Sequence, residues 1–384
     1  MIEIKTGFNI KFDENQKNSK VTYVEKRIIN VSYSLNDILD FKNDNRCLFI
    51  YYLINVMELI DKQGRINILP NSNDEPALER YTGFDVKNFY YTGTIFSVLQ
   101  GINIYSIYMY DDILKERCNT DMETLIKWYF EEYIVEYFNI NGFVFNVSKS
   151  SNYIEKIRNL VAEFDSILKQ YSLYCLYRNI DRELLELNHS QVRFDSIPSL
   201  IDNKYIYIKD NKLLEYAYLI SSDQSRLSSP INKKTKYNSF FENIKYDNVS
   251  KLDYHEINYS KIDELISAGV IGEEDNTLVN TNLSYILNDY FHKEFLTREV
   301  IEKYNIQLYD YEYYDGLFSK EECNYLNYSL NDQQFGNNLG IRNRYIHGTN
   351  SLNKDINIQD YYHVLYLLLC TILKINYELV LVSN

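Results

Sequence analysis

Proline and glycine are scarce, with four and twelve copies in 384 residues. A sandwich or barrel built from many short strands needs more breakers than this, so the composition favours long regular elements. Cysteine is scarce too. Its five copies (Cys47, Cys118, Cys175, Cys323 and Cys370) are scattered, odd in number and not set at metal-ligand spacing. That excludes a disulfide framework and fits a reducing, cytoplasmic setting. Long hydrophobic runs are missing. The longest, Val364 to Leu373, contains Thr371 and stops at Lys374. It is too short to span a bilayer and suits a buried helix, so no membrane association is expected. The first residues, Met1-Ile2-Glu3-Ile4-Lys5, lack a basic region followed by an apolar stretch, and no signal peptide is expected. Positive charge is in deficit as well: 40 Lys and Arg face 54 Asp and Glu, for a net charge of −14. Such a balance argues against broad, non-specific binding of long nucleic acid, but leaves room for a local site on a short or folded RNA.

What remains is ordinary for a globular chain, with 45% hydrophobic and 24% charged residues. The length implies two or three domains. Tyrosine stands out at 39 copies. AT-rich coding accounts for such an excess together with abundant Asn, so the count alone implies no stacking surface. Many of these rings are expected at the core edge, with the hydroxyl near water.

Patterning gives a mainly α chain with a mixed α/β N-terminal region over residues 1–100. There Val21–Val24 and Arg27–Tyr33 read as strands, and Cys47–Ile60 as a mostly buried helix that stops by Gly64. Residues 101–220 read as mainly helical, with apolar three- and four-residue spacing in Met122–Phe138 and Tyr153–Tyr174. Residues 204–218 suggest a strand, a turn at Asp210-Asn211 and a second element. Residues 221–245 are polar, Ser-rich and contain Pro230, as a linker would be. Over residues 246–280, a helix capped by Ser260 and stopped by Gly269 precedes a small acidic hairpin. This is a winged-helix-like element, read more readily as packing than as DNA recognition because of its charge. Residues 281–384 are helical again. Leu283, Ile286, Leu287, Tyr290 and Phe291 lie on one stripe, Tyr309–Tyr314 reads as a solvated connection, and Ser319 with Glu322 forms a capping box opening a helix through Leu330. The last helix is expected from Ile358 to about Leu379.

The chemistry-bearing segment is Arg342-Asn343-Arg344-Tyr345-Ile346-His347-Gly348, preceded by Gly336-Asn337-Asn338-Leu339-Gly340. A helix puts Asn343 and His347 on one face. Arg342 lies about 140° from His347 around an ideal helix, so it must reach in with its long arm. Gly348 suits a left-handed helix end. Imidazole moves protons near neutral pH, and guanidinium offers a planar fork to phosphate. The plainer reading of the same residues has Arg342 bound to a carboxylate and His347 at a helix end. Arg344 is a candidate RNA contact or a surface residue.

This segment resembles the signature of the HEPN superfamily, in which Arg, commonly followed by Asn, precedes His by four to six intervening residues. The resemblance covers roughly the last hundred residues. It implies an all-α HEPN-like helical bundle over 281–384 and a metal-independent endoribonuclease with no cofactor. Arg342, Asn343 and His347 would be catalytic and Arg344 would bind substrate. It also implies a homodimer in which two copies of the motif meet in one composite site. The substrate would be RNA, such as tRNA or another structured RNA. Proteins of this kind serve as effectors in bacterial anti-phage (abortive infection) or toxin-type defence, the N-terminal region binding a trigger or inhibitor. The rival reading is a non-catalytic helical interaction or dimerisation protein of such a system.

Three further candidates are weaker. Arg182 and His189 match the spacing, but no Asn follows Arg182 and the intervening leucines read as a plain helix. His363 lies in the last helix near the motif, as a supporting or core-edge residue. Lys233, Lys234 and Lys236 beside Tyr237 make a small basic patch that suits a solvated segment.

Overall fold

The computed structural model describes residues 7–25, 27–39, 46–70, 88–187, 190–306 and 308–383. The chain forms two compact units, the first built from its two ends and the second inserted over residues 202–315. It is mainly α with small sheets. From the N-terminus run β1 (Gly7–Asp13), β2 (Lys20–Glu25), β3 (Ile28–Ser34), α1 (Thr94–Cys118), α2 (Met122–Trp128), α3 (Ile134–Phe138), α4 (Tyr153–Tyr177) and α5 (Arg182–Leu187). The second unit holds β4 (Tyr205–Ile208), α6 (Asn211–Ser221), α7 (Phe240–Asp247), α8 (Tyr259–Ser267), β5 (Ile271–Glu274), β6 (Thr277–Asn280), α9 (Asn282–Lys293), β7 (Leu296–Thr297), α10 (Arg298–Tyr304) and β8 (Tyr311–Tyr314). The chain returns to the first unit with α11 (Lys320–Leu330), α12 (Ile341–Ile346) and α13 (Lys354–Ser383).

The first unit is organised around α13. Its residues from Tyr361 to Ile375 are buried on every side, which explains why they are apolar apart from His363, Thr371 and Lys374. By length and composition α13 would cross a bilayer, but 83% of its most apolar window is buried within the protein. It is the core helix expected from the sequence, begun four residues earlier. It packs on α1 and α4, and α12 packs on α4 and α11. The C-terminal helices therefore share one core with helices from the first half of the chain. The boundaries expected at residues 100, 220 and 280 do not coincide with the division into units. Local patterning marks where helices begin and end, but not which distant helices share a core.

At the N-terminus β3 is central, parallel to β1 and antiparallel to β2. The two expected strands are present, and β1 is an addition to them. The expected helix from Cys47 is shorter: Leu48–Tyr51 passes into a π-helical turn, Tyr52–Val56. Gly64 is not its stop but the tip of the next turn, with φ +68°. A Cβ there would lie 2.3 Å from the Tyr377 ring, so only glycine fits. The turn is pinned from below. Lys374 Nζ donates to Gly64 O at 2.9 Å, and the Ile66 amide donates to Glu322 Oε1 at 2.7 Å. Glu322 also closes the expected capping box with Ser319.

In the second unit, β4 lies between β7 and β8. Asp210 caps α6 through the amides of Lys212 and Leu213, as the turn signal implied. Tyr309–Tyr314 is not simply a solvated connection. Its second half is β8, antiparallel to the fully buried β4, whose backbone groups need that partner. Nor is 221–245 a solvated linker, since Leu227 and Phe240 are core residues and α7 begins inside it. Helix α8 and the β5–β6 hairpin form as expected, with Gly269 at φ +69° ending the helix, but Ser260 is not its cap: the helix starts at Tyr259, and Asn258 at the cap position makes no side-chain cap bond. A short 3-10 turn, Glu256–Asn258, leads into α8 ahead of Ser260. Exposed Asp263, Glu273, Glu274 and Asp275 make its outer face acidic.

Candidate functional site

Helix α12 carries the motif. It opens at Gly340, whose φ of +52° is tolerated without strain by glycine. The preceding turn is tied down: the Asn337 side chain receives the Tyr90 amide at 2.8 Å and donates to the Tyr90 carbonyl at 2.7 Å. The Tyr90 ring lies between Tyr328 and Phe335, with centroids 4.7 and 4.8 Å away. The other end closes as expected. Gly348 has φ +73°, the Thr349 amide donates to Arg344 O at 2.8 Å, and the His347 amide donates to Asn343 O at 3.0 Å. This is a Schellman end, which satisfies the last carbonyls and fixes where His347 stands.

The four motif residues face different surroundings. Arg342 is buried, 6% exposed, and its Nη2 donates to Asp165 Oδ2 on α4. Its Nη1 is buried with no hydrogen-bond partner. Burial pushes the Asp165 carboxyl above its ordinary value of 3.8, against the pull of Arg342 and Lys169. Arg344 is half-buried. Its Nη2 donates to Asp360 Oδ1 on α13 at 3.1 Å, while its Nε is buried and unpartnered. Asp360 Oδ2 also lies 2.8 Å from the Tyr345 hydroxyl. Asn343 is half-buried, and His347 is exposed at the helix end. Asn343 and His347 thus sit one turn apart as expected, whereas Arg342 turns inward to α4.

The cleft between α1 and the start of α13 lies beside the motif. It has a volume of about 590 Å³ and is lined by Phe8, Tyr105, Tyr108, Gln359, Asp360 and His363 among others. The His363 side chain is 7% exposed. Gln100 Nε2 lies 3.3 Å from His363 Nε2, within hydrogen-bond distance. Burial, with the Arg344 charge nearby, lowers His363 from 6.5 to about 4. The imidazole is therefore neutral at pH 7.

Asp165, Asp360 and Gln100 are additions to the residues the sequence singles out. Asp165 has only a weak signal: it borders the buried stripe of α4, which itself contains the carboxylate of Glu163, so its position does not mark it out. Asp360 and Gln100 have none. Of the weaker candidates, Arg182 donates to Gly142 O at 2.7 Å, and His189 lies outside the described residues. Lys233 donates to Asn248 O at 2.7 Å and Tyr237 packs on Tyr246, which ties that segment to α7. Among the described residues no group of three His, Cys, Asp or Glu is placed to hold a metal ion.

No protein-family model, curated protein or solved structure matches the chain.

Proposed function

We propose that the protein is a metal-independent endoribonuclease of the HEPN type, acting as a homodimer through the α12 motif. The observation carrying this reading is the position of His347, exposed at a hydrogen-bonded helix end and flanked by exposed apolar side chains. Ile346 is 53% exposed, Leu352 95% and Ile356 38%. Isolated surface hydrophobics are ordinary, but a group bracketing a chemistry-bearing motif suits an interface. A two-fold axis through this patch would bring two His347 rings into one cleft.

The chemistry is internal transesterification. One His347 takes the proton of the ribose 2′-OH, and that oxygen attacks the adjacent phosphorus. The bond from phosphorus to the 5′ oxygen breaks, and His347 of the second copy protonates the leaving oxygen. The products are a 2′,3′-cyclic phosphate and a 5′-hydroxyl end. Arg344, with Asn343, steadies the phosphate. Arg342 serves first as the anchor of α12, and its unpartnered Nη1 has hydrogen-bonding capacity for an oxyanion after a rotamer change. A role as a defence effector follows from the resemblance alone.

Cleavage of total RNA in excess EDTA, lost in His347→Ala, is the expected result. Undiminished cleavage in that variant rejects the proposal. The Arg342–Asp165 pair favours a second reading, a non-catalytic dimerisation protein. Under it His347→Ala leaves the cellular phenotype intact, while charged substitutions at Ile346 and Leu352 abolish it.

A further inference from the structure

We propose that the cleft between α1 and α13 is a nucleobase-binding subsite, with Tyr105 and Tyr108 as its stacking platform. Four observations converge on this. First, the rings form a continuous ladder from β1 along α1 to α13. Phe8 and Tyr105 have centroids 6.2 Å apart, Tyr105 and Tyr108 5.5 Å, and Tyr108 and Tyr362 5.0 Å. Gly101 makes room for it, because a Cβ there would meet the Phe8 ring at 2.9 Å. Second, the Tyr105 ring is 45% exposed, so one rung of the ladder is open to a ligand. The Tyr108 ring is half-buried and packs edge-on against Tyr362, which holds it in place without its hydroxyl. An ordered, solvent-facing aromatic surface is what a base stacks on, and every base has a suitable face.

Third, the opposite wall offers hydrogen bonds suited to a base edge. Gln359 presents a donor and an acceptor and His363 a neutral ring at the floor, while both oxygens of Asp360 are held by Arg344 and the Tyr345 hydroxyl. Fourth, the charge selects for the uncharged part of a nucleotide. Asp355 and Asp360 line the cleft, and Arg344 at its edge is already paired with Asp360. Phosphate is repelled from the interior and drawn to the motif side, which leaves the base to enter. The volume of about 590 Å³ lies within the range usual for small-ligand sites.

The inference deepens the ribonuclease reading: a base held here would set which nucleotide lies next to the scissile phosphate presented to His347. The test uses the full-length protein and titrates the four nucleoside 3′-monophosphates by calorimetry, with inorganic phosphate as a control. Nucleotide binding is expected, with at least one base preferred and no binding of phosphate alone at the same concentration. Tyr105→Ala and Tyr108→Ala should each weaken binding about tenfold. Tyr108→Phe, which keeps the ring, should restore it. Both positions are on the surface of α1, and circular dichroism checks that the variants remain helical. Absence of nucleotide binding, or affinities unchanged in both alanine variants, overturns the proposal. RNA cleavage measured in parallel separates the two readings. Ring-dependent nucleotide binding without any cleavage supports the subsite and rejects the nuclease. Cleavage that needs His347 but keeps its KM in both alanine variants supports the nuclease and rejects the subsite.

Discussion

The guanidinium of Arg342 closes on the carboxylate of Asp165, a residue 177 positions earlier in the chain. The side chains are 7% and 20% exposed, so most of the pair is withdrawn from water. Breaking such a pair from one side strands the other charge, which costs about 3–5 kcal/mol when burial is complete. Arg342→Ala and Asp165→Ala are each expected to lose about 3 kcal/mol of stability, at the lower end because Asp165 keeps some solvent. Urea unfolding of both variants and of the double variant checks this. The double variant should lose much less than the two single losses added together. Additive losses would mean that the contact contributes little and would release Arg342 for RNA.

That pair also shows how far the sequence can be read. The motif, its helix, the left-handed end at Gly348 and the capping box at Ser319 are local features, and each stands where the residues imply. The identity of α13 as a buried helix is equally legible, because an all-round apolar helix has nowhere else to go. The orientation of Arg342 is not legible. Its direction depends on α4, and nothing within a few residues of either partner specifies that α4 and α12 meet. The same holds for the cleft, whose walls come from α1 and α13. The strand β8 escapes a local reading although three of its four residues are tyrosines that favour strands, because it is short and exposed beside Asp310 and only pairing with buried β4 distinguishes it.

Gly348 gives a second prediction. Nothing lies within 4 Å of a Cβ added there, so a substitution costs backbone strain alone. Gly348→Val should lose about 1–2 kcal/mol, and Gly348→Asn markedly less, since Asn tolerates the left-handed region. Cleavage should suffer more than stability in Gly348→Val, because the Schellman end positions His347. A valine variant that loses stability but retains full activity would show that the helix end does not orient the imidazole.

A third concerns Lys374 and Glu322, both wholly buried, with Nζ 2.8 Å from Oε2. Burial works to raise Glu322. The Lys374 charge and hydrogen bonds from Lys374, Ile66 and Ser319 outweigh it and hold the carboxyl below its ordinary 4.5. A depressed carboxylate stabilises the fold above the unfolded value, and that contribution is lost as pH falls below about 4.5. Lys374→Met should cost about 3–5 kcal/mol by leaving Glu322 unpaired; adding Glu322→Leu should recover only part of it, because the amides of Ile66 and Ser319 and the Gly64 carbonyl then lack their partners. Melting temperatures of the three proteins between pH 3 and 7 decide the matter. Wild type should show an acid-induced drop that the double variant lacks in part, and identical profiles would reject the assignment.

His363 takes up its proton at lower pH than a surface histidine. Burial, with Arg344 nearby, lowers it from 6.5 to about 4. Between those values the unfolded chain binds more protons than the folded one, so stability rises with pH across the window. The contribution is complete above about 6.5 and is lost progressively as pH falls towards 4. Each tenfold loss of proton affinity corresponds to roughly 1.4 kcal/mol, so lowering the pH from 7 to 5 should remove about 2 kcal/mol through this residue. His363→Gln keeps a polar side chain beside Gln100 but cannot titrate. Carboxylates such as Asp360 also respond to pH, so the decisive quantity is the difference between wild type and variant. Urea unfolding at pH 7 and pH 5 should give a smaller acid loss in His363→Gln, by about that amount. An equal loss in both proteins would mean that His363 takes up its proton in the fold as readily as in the unfolded chain, and the lowered value would have to be abandoned.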